Sequence, residues 1–504
     1  MEQAWQMFRE AGFEKTRDDP AVLSVRGRLL KDQAREAKGK RRRRLFLEAA
    51  SAYARASEIG GATYPLINAA TLSLLAGRRE RARTLAQRVL EKSEREPDEA
   101  ETPYYRATTR AEALLLLGDV AQAREAFAHA IALAPQAYED HASTLRQFEL
   151  ILDELGEDAS WLDALRPPRT LHFAGHMALA GKSGALAQEV RAAIAGERIG
   201  SGYGALAAGA DILIAEALLE AGAELHLILP APQDEFHKVS VARSGGDWAA
   251  RFDRIVAAAQ SVRAIESAAD PASPLAIRLA AEVAMGLAVM QAQVLATEAV
   301  QLLILDGKTG DSGWIAALWK RSGRKQQVIA APRVRSRGKT RARSAGERQC
   351  LAVMLRIDGA AALSTDVVRK LARVLSAAPK PLVQPRWTGE AVLVAFESTT
   401  AAARAALAVR EALGETTELR IAGHYGIAER VKDPFGQGTI LIGSAAELPR
   451  MIALSTPAGA IHVSEDFAAA LHAGPAAGRP HCELVGELPD EQLDNPMRLF
   501  SLRR

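Results

Sequence analysis

Cysteine is nearly absent: Cys350 and Cys482 are the two in the whole chain. Two distant thiols supply neither a disulfide framework nor a cysteine-ligated zinc site, and such usage fits a reducing cytosol. An excess of either charge is absent as well. Lys and Arg total 64 and Asp and Glu total 61, giving +3, so no global field steers the chain onto nucleic acid or a membrane. Long apolar runs are also missing. The N-terminal MEQAWQMFREAGFEK is charged and has no signal-peptide core. The segment richest in Ala, Leu and Val, Pro274 to Val300, is interrupted by Arg278 and Glu282. It reads as a buried or amphipathic helix, so the expectation is a cytoplasmic protein with no membrane span.

What remains is globular material, 48% apolar and 25% charged over 504 residues, too long for one core. Arg166-Pro167-Pro168-Arg169 ends a purely helical pattern, since consecutive prolines cannot continue a helix. Residues 333–349 open with RVRSRGKTRARSAGER, a self-repelling run of Arg and Lys that reads as a linker. The expected domains are therefore 1–165, 166–332 and 350–504, joined by that basic linker.

In the first domain one segment carries a repeat signature: Gly118, Ala123, Phe127, Ala130 and Pro135. Small residues let two helices approach, Phe127 fills the groove and Pro135 stops the second helix. The offsets recur as Gly77, Ala82, Ala86 and Val89, and more faintly as Ala49, Tyr53 and Ala56. These resemble tetratricopeptide helix pairs; a plain helical bundle is the alternative. The stretches GRLLKDQ and GGATYPLINAATLSLLAG resemble the TRAFs-binding tetratricopeptide region found beside apoptosis-signal-regulating kinases and in bacterial proteins. That resemblance implies an all-α domain recruiting a protein partner. The basic run from Lys38 to Arg44 reads as the solvated start of a helix, and nucleic-acid binding is disfavoured because no aromatics interleave it.

The second domain alternates strand and helix, which implies a parallel sheet. Strands are expected at Leu171–Ala174, Leu225–Leu229, Ala299–Leu305 and Gln327–Ala330. Between the first two, GSGYG reads as a glycine-rich turn and Asp211–Glu220 as a helix. Gly202 and Gly204 would let backbone approach a phosphate, the helix start near Gly209 adds positive partial charge, and Asp211 caps that helix or binds a ribose hydroxyl. The run from Gly175 to Ser183 has the outline of a Walker loop, but five residues separate Gly175 from Gly181 where that loop has four.

Gly175-His176, Gly202-Tyr203-Gly204, Gly209-Ala210-Asp211, Glu216 and Leu229-Pro230 together resemble the SLOG superfamily of Rossmann-like domains. So do the phrases DEFHKVSV and LDGKTGDSGWIAALWK. The resemblance implies a nucleotide-derived ligand held by Gly175, His176, Gly202, Tyr203, Gly204, Gly209, Asp211, Glu216, Gly307, Ser312 and Gly313. Trp314 stands where that superfamily's catalytic loop has a small hydroxyl residue, which argues for binding over hydrolysis. Glycines that serve only tight turns are the alternative.

The last domain begins LAVMLRIDGAAALS and continues through VLVAFEST, ELRIAGHYG and PFGQGTILIGSAAELPRMIAL. With Gly389, Phe396, Gly426, Phe435-Gly436 and Ala445-Ala446, it resembles the class III adenylate/guanylate cyclase domain, an α+β ferredoxin-like fold that works in head-to-tail pairs. Cyclisation needs two carboxylates holding two metal ions, and an Asn and an Arg from the partner subunit. The resemblance puts Arg356 and Glu390 at the carboxylate positions and Gly443 and Glu447 at the other two, with Asp358 as a stand-in. The expectation is a pseudocyclase without catalytic residues or bound metal, forming a homodimer through 350–504. The whole would be a signalling regulator. The alternatives are an active cyclase using Asp358, Glu390 and Mg or Mn, or a nucleotide hydrolase in the middle domain.

Overall fold

The computed structural model describes residues 2–95, 102–177, 179, 184–265, 270, 273–306, 313–332, 348–359, 364–414, 419–436, 438–488 and 496–504. They form two compact units, Met1–Pro167 with Val294–Thr297, and Pro168–Gln293 with Glu298–Arg504.

The first unit is helical: α1 (Glu2–Glu10), α2 (Pro20–Glu36), α3 (Gly39–Gly60), α4 (Thr63–Leu75), α5 (Arg79–Arg95), α6 (Pro103–Leu117), α7 (Val120–Leu133) and α8 (Tyr138–Leu155). The small-residue stripes seen in the sequence fall at matching places. Ala49, Tyr53 and Ala56 on α3, Ala82, Ala86 and Val89 on α5, and Ala123, Phe127 and Ala130 on α7 are all buried in one core. Gly77 and Gly118 end α4 and α6 at φ +76° and +92°, where a side chain would be strained. Thr71 on α4 and Gln147 on α8 both donate to Glu112 of α6, whose carboxyl burial pushes upward.

The second unit holds two sheets. The first is all parallel, built from β1 (Arg169–Gly175), β2 (Ile199–Gly204), β3 (Glu224–Leu229), β4 (Ser261–Ala264), β5 (Ala299–Leu305) and β6 (Gln326–Ala330), in the order β4-β3-β2-β1-β5-β6. Its helices are α9 (Gly184–Glu197), α10 (Ala210–Glu220), α11 (Gln233–Ser240), α12 (Trp248–Ala258), α13 (Pro274–Val294) and α14 (Gly313–Arg321). One face of the sheet packs on α9, α10, α11 and α12 through Leu171, Phe173, Leu225 and Ile304; the other meets α13 and α14. The GSGYG segment corrects the reading made from sequence. It is not a turn but the buried strand β2, paired with β1 and β3. Its glycines are spaces for Leu218 and Phe173 to enter, which periodicity cannot distinguish from turn-forming glycines.

The second sheet is mixed, from β7 (Gln349–Asp358), β8 (Val383–Trp387), β9 (Ala391–Phe396), β10 (Arg420–Lys432), β11 (Thr439–Ile442), β12 (Ile461–Ser464), β13 (His481–Leu488) and β14 (Met497–Arg503). The order is β13-β14-β12-β10-β7-β9-β8, with β11 on β10 and only the β10–β12 pair parallel among the described residues. Val353, Leu355 and Ile357 of β7 enter a core with α15 (Thr365–Ala377), α16 (Thr399–Leu413) and α18 (Glu465–Ala473). The alternate residues, Ala352, Met354, Arg356 and Asp358, belong to the face on which α17 (Ser444–Ser455) packs.

Helix α13 joins the sheets. Leu279, Ala280, Val283, Ala284 and Ala288 enter the core of the second sheet, while Met285, Val289 and Ala292 meet β5 and Trp319 of the first. By length and composition it is long and apolar enough to cross a membrane, yet 61% of its most apolar window is buried here. Burial on two sides accounts for the apolarity. Glu282, 8% exposed, accepts from Arg278 at 2.8 Å and from the Tyr425 hydroxyl of β10 at 2.7 Å.

Candidate functional site

Chain winding reverses between β1 and β5, and in open parallel sheets the crevice beyond the strand ends at such a reversal is where ligands bind. Gly175 ends β1, and a Cβ there would lie 2.3 Å from that of Ala210 on α10. Gly209 precedes α10 at φ +109°, where a Cβ would lie 2.3 Å from the Met177 carbonyl oxygen. Asp211, in the first turn of α10, is buried and accepts from the backbone N–H of Gly175 at 3.0 Å and of Ala207 at 3.1 Å. His176 is 5% exposed; its N–H reaches the Ile304 carbonyl of β5 and its Nε2 lies 3.0 Å from the Ala331 carbonyl just past β6. The ring therefore spans the end of β5, and its Nδ1 is buried without a partner among the described residues.

Other residues expected at this site lie elsewhere or serve packing. Gly202 lies inside β2 and Gly204 ends it, and a Cβ would come 2.4 Å from Leu218 Cδ1 at the first and 2.6 Å from the Phe173 carbonyl at the second. Tyr203 faces the second sheet's core and stacks on His226, centroids 4.6 Å apart. Glu216 accepts both arms of Arg251 of α12, at 2.8 and 2.6 Å. Gly313 begins α14, with open space around it. Gly307, Ser312, Gly181 and Lys182 lie outside the described residues, as does the linker from 333 to 347.

Burial pushes the Asp211 carboxyl up to about 7, against the two amide donors that pull it down. The folded state then keeps a proton that the unfolded chain sheds near 3.8, so stability is fullest below that value and falls as pH rises towards 7. Asp211→Asn is expected to flatten this limb. Melting temperatures of both proteins between about pH 4 and pH 8 check it, and parallel curves would refute it.

The second cluster is on the last sheet. Arg356 grips Asp358 with both arms, Nη2 to Oδ1 at 2.7 Å and Nε to Oδ2 at 3.0 Å, and Nη2 lies 4.0 Å from Glu390 Oε2 in the β8–β9 turn. Glu390 is 88% exposed. Gly443 caps α17 and Glu447 stands in its first turn. Arg386 of β8 binds Asp433 in the β10–β11 turn, beside Phe435, which is 99% exposed. The Arg386 and Asp433 pair was not foreseen, because its members are separated in sequence and neither belongs to a motif.

The family model described as TPR-S, Tetratricopeptide Repeats-Sensor, matches residues 1–73. No curated protein matches the chain. Among solved structures, the adenylyl cyclase CyaB from P. aeruginosa is 13% identical, covering 31% of this chain and 95% of that one, with a TM-score of 0.26. The guanylyl cyclase Cya2 is 16% identical, covering 31% and 92%, TM-score 0.25. The guanylate cyclase domain of RhGC from Catenaria anguillulae, solved with GTP, is 16% identical, covering 31% and 98%, TM-score 0.24. The chain is thus similar to tetratricopeptide sensors at its start and weakly similar to cyclase domains over about a third of its length.

Proposed function

We propose that the chain is a signalling regulator with no cyclase activity of its own. Its helical repeats recruit a protein partner, its parallel-sheet domain binds a nucleotide-derived ligand beyond the ends of β1 and β5, and its last domain is a pseudocyclase that pairs with a second copy. The carrying observation is the Arg356–Asp358 ion pair. Both oxygens of Asp358 are engaged by a fixed cation that also leans towards Glu390. Two divalent ions would need those oxygens and would meet the guanidinium's repulsion in a partly buried place, so the donor set does not fit them. Gly443 and Glu447 supply neither an amide nor a guanidinium to a partner's triphosphate. Half-exposed Tyr64 and Tyr105 on α4 and α6 support a recruiting surface, and exposed Trp387, Phe435 and Ile442 support pairing through the last domain.

Full-length protein incubated with ATP or GTP and manganese is expected to yield no cyclic nucleotide by mass spectrometry. Cyclic product that disappears in Glu390→Ala would overturn the reading.

A further inference from the structure

Within the parallel-sheet domain, several amides that could cradle an anion already have acceptors. Gly175 and Ala207 donate to the Asp211 carboxyl, Ala208 to the Ser240 carbonyl, and Ala210, first in α10, to the His176 carbonyl. The carboxyl of Asp211 thus takes two loop amides beside the start of α10 that a phosphate there would otherwise use. One polar atom nearby has no partner among the described residues. His176 Nε2 faces a carbonyl, which only accepts, so Nε2 carries the hydrogen and Nδ1 presents a lone pair. That lone pair is buried and unmatched, on a ring lying across the strand end where the winding reverses. A buried acceptor without a donor is costly, and a ligand that supplies the donor recovers the cost.

We infer that this crevice reads its ligand through an N–H or O–H donor given to His176 Nδ1, and offers phosphate no seat because Asp211 fills it. The ligand class is nucleoside-like, entering base or sugar first, with any phosphate left towards solvent. This rests on the nucleotide-ligand reading above and narrows it. Exocyclic amines and ribose hydroxyls are donors; a phosphate at neutral pH is almost wholly an acceptor and would face both the Nδ1 lone pair and the Asp211 oxygens.

The test is calorimetric titration of the full chain with adenosine, guanosine, their 5′-monophosphates and inorganic phosphate. A nucleoside is expected to bind within about threefold of its own monophosphate, and phosphate alone not to bind. His176→Gln, which keeps a donor for Ala331 but loses the acceptor at the Nδ1 position, is expected to weaken the nucleoside roughly tenfold. His176→Asn, which keeps an acceptor there, is expected to bind it nearly as well as the parent. Asp211→Ala frees the Gly175 and Ala207 amides, so inorganic phosphate should raise its melting temperature and leave the parent's unchanged. A monophosphate more than about tenfold tighter than its nucleoside, parent-level binding by His176→Gln, or phosphate binding to the parent would each overturn the inference while the nucleotide reading stands. If neither nucleosides nor nucleotides bind, that reading falls and the inference falls with it. Should Asp211→Ala fail to fold, the His176 pair and the nucleoside-to-nucleotide comparison decide.

Discussion

Gly286→Ala is expected to lower the melting temperature of the unit that holds both sheets by roughly 3–5 °C. The cause is backbone against backbone. A Cβ at position 286 of α13 would stand 1.8 Å from the Ala469 carbonyl oxygen of α18 and 2.6 Å from its Cα. A side-chain tip can swing aside, whereas two helix axes must part, and Leu279, Val283 and Ala284 would then lose contact with Phe467 and Ala468. Overpacking a well-filled core costs about 1–3 kcal/mol, and a clash with rigid backbone belongs at the top of that range. Gly196 of α9 is the control, since nothing lies within 4 Å of a Cβ there. Gly196→Ala is expected to be neutral or to stabilise by up to about 1 kcal/mol. Scanning calorimetry of the full chain measures both, and an unchanged transition in Gly286→Ala would refute the backbone contact.

Arg263→Ala is expected to cost about 2–3 kcal/mol, for a different reason. Arg263, at the end of β4, binds Glu465 at 2.6 Å and also Asp466, both in the first turn of α18. The two acids are nearly buried, and their only other cation among the described ion pairs is Arg498, 3.6 Å from Glu465. Removing the guanidinium strands two carboxylates in a poorly hydrated place, although the helix start offsets part of the loss. Arg263→Lys should recover little, because an ammonium cannot reach both acids in the forked geometry. The check is urea denaturation of Arg263→Ala, Asp466→Ala and the double variant. Simple additivity of the two single costs would mean the pair is not coupled.

What the sequence makes legible is whatever repeats or alternates locally. The stripes on α3, α5 and α7 are visible because small and aromatic residues return at fixed offsets, and each stripe is buried. Strands β5 and β6 read clearly as short apolar runs between breakers. Arg356 and Asp358 share a face because a strand has a period of two, and the ion pair between them follows from that spacing. Strand β2 is hidden because glycines in a strand and glycines in a turn look alike until Leu218 and Phe173 are seen entering them. Glu216 reads as a ligand-binding acid until Arg251, on another helix, is found on it. Arg263 with Glu465, and Glu282 with Tyr425, join residues with no local relation, so no window of sequence contains both members. The apolar character of α13 is legible; that two cores share it is not.

That sharing limits how the chain can be inherited. A recombination event cutting between the two sheets would leave α13 with Leu279, Val283 and Ala284 bare to water, and the severed piece is expected to clump instead of circulating as an independent module. The parallel sheet and the mixed sheet of this chain are therefore expected to stay soluble only when they are made together.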